Sequence, residues 1–322
     1  MLRYVARRCL TAVIMMILSS VIIFGVLRLL PGDPVIARLA GAKDINPAAI
    51  EALKTQMGLD RPLVDQYLTW VTGAVHGDFG NSYFSQYAVS ELINQRIGPT
   101  VELAVASLIV AVVVALAFSL IPLIRDSRWL ARGVTGYTVF GLSAPSFLIG
   151  IIVLLFFGNA LHWIPRMTFE PLSVNPGRNL SMLIAPAVTL GVACSAPLIN
   201  YLRASLRDVQ DAAYVTTAFG GGIRRRRVIV GHVTPNAVLP ALTSLGITVG
   251  GLLGGVVEVE YVFGWPGLGS EIVSAVNTRD YAVIQSIVLL AAMVYVVTSL
   301  IVDLLYLVLD PRLRVQRVVK PA

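Results

Sequence analysis

Three histidines and two cysteines stand in a chain of 322 residues, and catalytic or metal chemistry would have to be built around them. His76, His162 and His232 are far apart, and the apolar runs between them divide them between opposite membrane faces, so they assemble neither a general base nor a metal cluster. Cys9 and Cys194 lie in or beside apolar runs and read as small hydrophobes rather than a disulfide pair. A phosphate-binding loop would end in Gly-Lys-Ser/Thr; the one lysine followed by such a hydroxyl, Lys54, is preceded by Leu53. Any ATP must therefore be hydrolysed by another chain, and no cofactor or metal is expected in this one.

The elements that must position these residues are dictated by composition. The chain is 56% hydrophobic and 13% charged, far more apolar than a soluble domain, so the bilayer is its solvent. A backbone in hydrocarbon must satisfy its own hydrogen bonds, which makes apolar runs of about 20 residues the units to count. Six such helices are expected, from Cys9 to Leu30, Val101 to Ile124, Val134 to Leu161, Met182 to Leu202, Ala237 to Val257 and Val283 to Leu309. The first reads as an uncleaved helix rather than a signal peptide, because its apolar stretch is long and no small-x-small site follows it directly. The fold class is thus all-α and polytopic. Its expected organisation is an N-terminal helix (1–30), an external loop subdomain (31–98), a core of five spans (99–309) with a cytoplasmic loop at 203–236, and a tail (310–322).

The net charge of +7 is spread in short clusters without an aromatic-basic face, which argues against nucleic acid and for membrane topology. Arg3, Arg7 and Arg8 precede the first span; Arg125, Arg128 and Arg132 follow the second; Arg207 and the run Arg224 to Arg227 follow the fourth; Arg312, Arg314, Arg317 and Lys320 end the chain. Cations near helix ends are retained in the cytoplasm, so both termini are expected there. Arg28, Glu102, Glu258 and Asp303 fall near span ends and read as interfacial. Gly246, Gly250 and Gly254, with Gly251 and Gly255, leave one face of the fifth span nearly bare, for packing within the chain or against a partner.

The loop from Arg203 to Asn236 is too long for a turn and keeps helical periodicity. Val209, Ala212, Ala213, Val215, Thr216 and Phe219 are expected on one side of a short helix that Gly220 to Gly222 would stop. The following Arg224 to Arg227 suit lipid phosphates or acidic residues of a partner. In the spans themselves, Ser143, Pro145 and Ser146 of the third and Asn200 of the fourth are the polar or helix-breaking positions that could border a pathway; Pro145 either kinks the helix or presents carbonyls to a cavity.

The loop resembles the coupling segment of binding-protein-dependent ABC importer permeases of the peptide/nickel branch. Tyr214, Val215, Thr217, Ala218 and Gly222 match its Tyr-Val-x-Thr-Ala-x-x-x-Gly stretch, with His232 and Asn236 at the family spacing. Ala213 departs from the acidic residue that many relatives carry before the tyrosine. The resemblance runs along nearly the whole chain: Leu30-Pro31-Gly32-Asp33-Pro34, Gly58-Leu59-Asp60, Pro62-Leu63, Gln66-Tyr67, Gly77-Asp78-Phe79-Gly80, Ser143-x-Pro145-x-Phe147, Phe263, Pro266-Gly267-Leu268-Gly269, Arg279-Asp280-Tyr281 and Asp310-Pro311-Arg312.

The resemblance implies a type I ABC importer transmembrane domain in the bacterial inner membrane. Its implied partners are a second homologous permease, ATP-binding cassette subunits that hold ATP and Mg, and an extracytoplasmic solute-binding protein. Tyr214, Val215, Thr217, Ala218 and Gly222 would then couple to the ATPase, while Pro266, Gly267 and Gly269 would border an external gate or docking surface. The expected cargo is a dipeptide or oligopeptide, with nickel chelates, glutathione and haem as alternatives. Two other classes are disfavoured: a membrane-embedded enzyme lacks clustered catalytic residues, and an ATP-independent channel or secondary transporter would need no docking loop.

Overall fold

The computed structural model describes residues 2–29, 34–39, 47–160 and 169–309; Leu30 to Asp33, Leu161, His162 and Asp310 to Arg312 of the motifs and span ends above lie outside them. The long helix α1 (Leu2–Leu29) is followed by the short α2 (Pro34–Leu39), α3 (Pro47–Gln56) and α4 (Leu63–Val75), then by α5 (Val89–Arg125). Next come α6 (Arg128–Ser143), α7 (Ser146–Leu155), α8 (Pro176–Gln210), α9 (Ala213–Gly220), α10 (Arg225–Val228), α11 (Thr234–Phe263), α12 (Leu268–Thr278) and α13 (Tyr281–Leu309).

Among the described residues, five helices are long and apolar enough to cross a bilayer alone: α1, α5, α8, α11 over Ser244–Phe263, and α13 over Tyr281–Leu304. The third expected span, Val134 to Leu161, is not one helix. It is divided into α6 and α7, which meet at 111°. Pro145 has no amide hydrogen and its ring disfavours helical geometry in the residue before it; Ala144 is accordingly extended, at ψ 127°, and α7 restarts after Pro145.

The chain forms two compact units. One comprises Val101–Trp265 with the segments nearest the two termini; the other comprises Arg8–Thr100 and Pro266–Val296. In the first, α8 is the hub, packing against α6, α7 and α11. Its apolar window is 61% buried, against 17% for α1 and 11% for α13, so the latter two offer most of their apolar surface to lipid or to other subunits. Close approach to α8 depends on a small residue: a Cβ at Gly191 would stand 2.6 Å from Val110 and 2.9 Å from the Ser107 carbonyl oxygen. The glycines of α11 divide. Gly246 meets Val302 and Gly255 meets Leu190, whereas Gly251 and Gly254 have nothing nearby.

In the second unit, Leu27, Val89, Ile93, Leu268, Tyr281, Ile284 and Ile287 make the core. Phe24, Tyr67 and Trp70 form an aromatic cluster with centroids 5.5–6.3 Å apart, Phe24 stacked on Trp70 and edge-on to Tyr67. Asp280 knots this unit together. Its carboxylate, 3% exposed, accepts from the Ser82 hydroxyl at 2.5 Å and from the Tyr83, Phe84 and Val283 amides at 3.1, 3.2 and 3.4 Å. It therefore caps α13 while holding the loop that follows Gly77-Asp78-Phe79-Gly80.

Candidate functional site

The segment that matches the coupling motif is built from a helix that stops and restarts. At the end of α8, the Asp211 and Ala212 amides bond back to Arg207 and Val209, and Ala212 turns extended at ψ 139° before α9 begins at Ala213. The restart resets the helical phase. Val215 is wholly buried and Ala218 half-buried, packed with Val209 and Ala212 on a cluster of Leu202, Leu206, Val228, Val233 and Ala237. Ala213, Thr216 and Phe219, expected on the same side as Val215, are exposed instead.

The outer face carries Tyr214, 47% exposed, and Phe219, 39% exposed, with Thr217, whose hydroxyl bonds back to the Ala213 carbonyl at 2.9 Å. Two exposed aromatic rings on an eight-residue helix are a surface that gains by being covered, since such rings carry much of the apolar area at interfaces. Gly222 ends the helix in a left-handed conformation, φ +74°. Its amide bonds to the Phe219 carbonyl at 3.0 Å and that of Ile223 to the Ala218 carbonyl at 3.3 Å, the paired closure that requires glycine or asparagine at this position.

The five matched residues thus divide by role: Val215 and Ala218 anchor α9, Gly222 stops it, and Tyr214 and Thr217 face outward.

The return path is also braced. The Arg225 guanidinium donates from Nε to the Leu123 carbonyl at 2.8 Å and pairs with Asp126 at 2.8 Å, tying α10 to the end of α5. A wide helical turn, Ile229–Val233, then precedes α11. Pro235 cannot donate to the preceding turn, and the Thr234 hydroxyl and Asn236 amide bond back to the carbonyls of Ile229 and His232 at 2.8 and 2.7 Å. His232 is exposed, and Asn236 meets it by donating its side-chain amide to the His232 carbonyl and not to the ring.

Ser143 ends α6 and Pro145 opens the turn into α7; both are exposed. Ser146 donates its hydroxyl to the exposed Glu258 carboxylate of α11, a pairing that no local sequence signal announces. Asn200 stands exposed on α8. Pro266 is half-buried and Gly267 and Gly269 are buried; the Leu268 amide bonds to the Thr100 hydroxyl at 2.8 Å, so these positions seat α12.

Sequence reasoning missed a cavity of about 360 Å³ in the second unit, whose lining includes Arg28, Arg38, Arg61, Gln66, Trp70 and Tyr83. Arg28 donates to Gln66 at 2.7 Å and lies over the Phe24 ring. Burial pushes the Tyr83 phenol above the ordinary tyrosine range, with the Arg28 charge opposing that rise.

Several long apolar helices and one elbowed pair define a multi-pass membrane protein. Residues 107–315 match the family of binding-protein-dependent transport system inner membrane components, and residues 1–104 match the N-terminal family of the same membrane components; the chain belongs to this family. It is therefore a permease and not an enzyme. A protein of Brucella suis biovar 1 (strain 1330) named as a peptide permease is 36% identical over 98% of this chain and 100% of its own length. The glutathione transport system permease protein GsiC of Escherichia coli (strain K12) is 36% identical over 98% of this chain and 99% of its own.

Proposed function

We propose that this subunit imports peptides or glutathione-like peptide derivatives, and that α9 is the knob through which ATPase subunits move it. The observation that carries the reading is the two-faced α9: Val215 is locked into the bundle, while Tyr214 and Phe219 project from it. A rigid base lets force applied to the outer face reach α8 and α11, whose ends share the same buried cluster. ATP, with Mg, is bound and hydrolysed on the partner chains. Nucleotide binding favours one arrangement of the ATPase pair, and the bundle follows because its alternative states differ by a modest free energy.

Peptide and glutathione transport are named for the two relatives, and glutathione is itself a peptide derivative, so one solute class covers both. A second, homologous permease completes the pathway, and the bare Gly251 and Gly254 face of α11 offers a surface for close helix approach. The arginine clusters orient both termini, and α9, toward the cytoplasm; the 31–98 subdomain then faces the solute-binding protein.

Ala218 packs on the internal cluster, so an arginine there would disturb the fold as well as docking. The sharper test is Tyr214→Ala combined with Phe219→Ala in the assembled importer. Uptake is expected to fall by at least about tenfold, with ATPase activity no longer stimulated by loaded binding protein; each tenfold corresponds to about 1.4 kcal/mol of lost coupling. Uptake at the wild-type rate in an intact complex would reject the assignment. Mass spectrometry of what the cognate binding protein carries tests the cargo separately.

A further inference from the structure

A second cavity, of about 210 Å³, lies in the first unit where α5 ends, α6 begins and α8 ends, beside both limbs of the coupling segment. Four arginines line it, Arg128, Arg203, Arg207 and Arg225, against one carboxylate, Asp126. That carboxylate is already paired with Arg225. Among the described residues, Arg203 has only the neutral Thr135 hydroxyl, at 3.1 Å, and Arg128 and Arg207 have no ion pair. Arg203 and Arg207 are one helical turn apart on α8, where like charges repel. Ser119, 4% exposed, is also among the lining residues, although its hydroxyl is itself buried. Four guanidinium groups converging on a cavity with one carboxylate point to an anion with acceptor oxygens.

The surroundings favour an anion attached to a lipid. Leu123, Ala131 and Leu206 share the lining with the arginines, giving it an apolar as well as a cationic side. Trp129, in the first turn of α6, is 79% exposed and carries the Arg132 guanidinium 5.2 Å over its ring. An exposed tryptophan beside clustered arginines at the ends of apolar helices is the composition of the headgroup layer. We infer that this cavity binds the phosphate of an anionic glycerophospholipid, which bridges α5, α6 and α8 at the root of the coupling segment. The orientation proposed above enters only in naming the leaflet as cytoplasmic.

The test uses the intact importer reconstituted in phosphatidylcholine with a minor fraction of phosphatidylglycerol, followed by native mass spectrometry of retained lipid. Wild-type protein is expected to retain phosphatidylglycerol in preference to phosphatidylcholine. Since each basic residue near an anionic surface contributes about fivefold, Arg203→Gln with Arg207→Gln should weaken retention by about thirtyfold. Arg226→Gln with Arg227→Gln, the same loss of charge at two exposed residues outside the cavity, should leave retention at the wild-type level. If the double variant does not assemble, Arg128→Gln, an exposed lining residue, serves in its place and should weaken retention by about fivefold. Equal retention of both lipids by wild-type protein, or equal losses in the cavity variant and in Arg226→Gln with Arg227→Gln, would overturn the inference. Inorganic phosphate displacing phosphatidylglycerol at millimolar concentration would assign the cavity to a free anion and overturn the lipid assignment. Because retention is read without transport, a failure here is distinguishable from a failure of α9 to couple.

Discussion

The proposed coupling segment and the Pro266 to Tyr281 region both carry dense runs of family-matching residues, yet they are built in opposite senses. Around α9 the matched residues alternate between a buried base, Val215, and an exposed crown, Tyr214. Around α12 they turn inward: Gly267, Gly269, Asp280 and Tyr281 are all buried, and Asp280 spends its acceptor capacity on the loop after Phe79 and on the start of α13. A shared motif therefore marks two different physical demands. One is an exposed surface, which we propose another protein grips; the other is an internal joint between segments remote in sequence.

That contrast can be broken most severely at the joint. Asp280→Ala leaves several buried donors without an acceptor and should cost about 3–5 kcal/mol, seen as a lower melting temperature of the solubilised importer and a lower membrane yield. Val215→Ala, at the base of α9, should cost about 2 kcal/mol through a cavity in the cluster beneath it, and the same thermal measurement ranks it second. Gly222→Ala forces an L side chain into the left-handed region and should cost about 1 kcal/mol, with limited proteolysis reporting a frayed end of α9. Tyr214→Ala, on the crown, should change stability by less than about 0.5 kcal/mol while uptake in vesicles falls. If Tyr214→Ala destabilised as much as Val215→Ala, the distinction between base and crown would be wrong. If Asp280→Ala were thermally silent, so would that between joint and surface.

The spans were legible because lipid imposes a length and an apolar composition that no neighbouring segment needs to confirm. The elbow in the third span was announced by Pro145, but proline inside a hydrophobic run signals an interruption and not its angle, and a 111° bend is fixed by how α6 and α7 each pack on α8. For α9 the glycines gave the correct stop, whereas the inward face was misassigned at Ala213, Thr216 and Phe219. A single helical period had been carried across Asp211 and Ala212, where the backbone leaves helical geometry and the count begins again. The work of Asp280 was not legible at all, since its hydrogen-bond partners at 82 to 84 lie almost 200 positions away. Nor was the Ser146 to Glu258 pairing, made across two helices with no shared local pattern.

The elbow at Ala144 and Pro145 has a mechanical corollary. α6 already ends with the Ala144 amide bonded to Phe140, and Pro145 has no amide hydrogen to offer the turn before it. Changing the angle between the two arms therefore asks for rotation about main-chain bonds at the junction and for the melting of neither arm. A permease that must widen and narrow would have a swivel here whose cost lies in side-chain repacking, chiefly where α7 rests on α11 through Gly150, and not in broken helix.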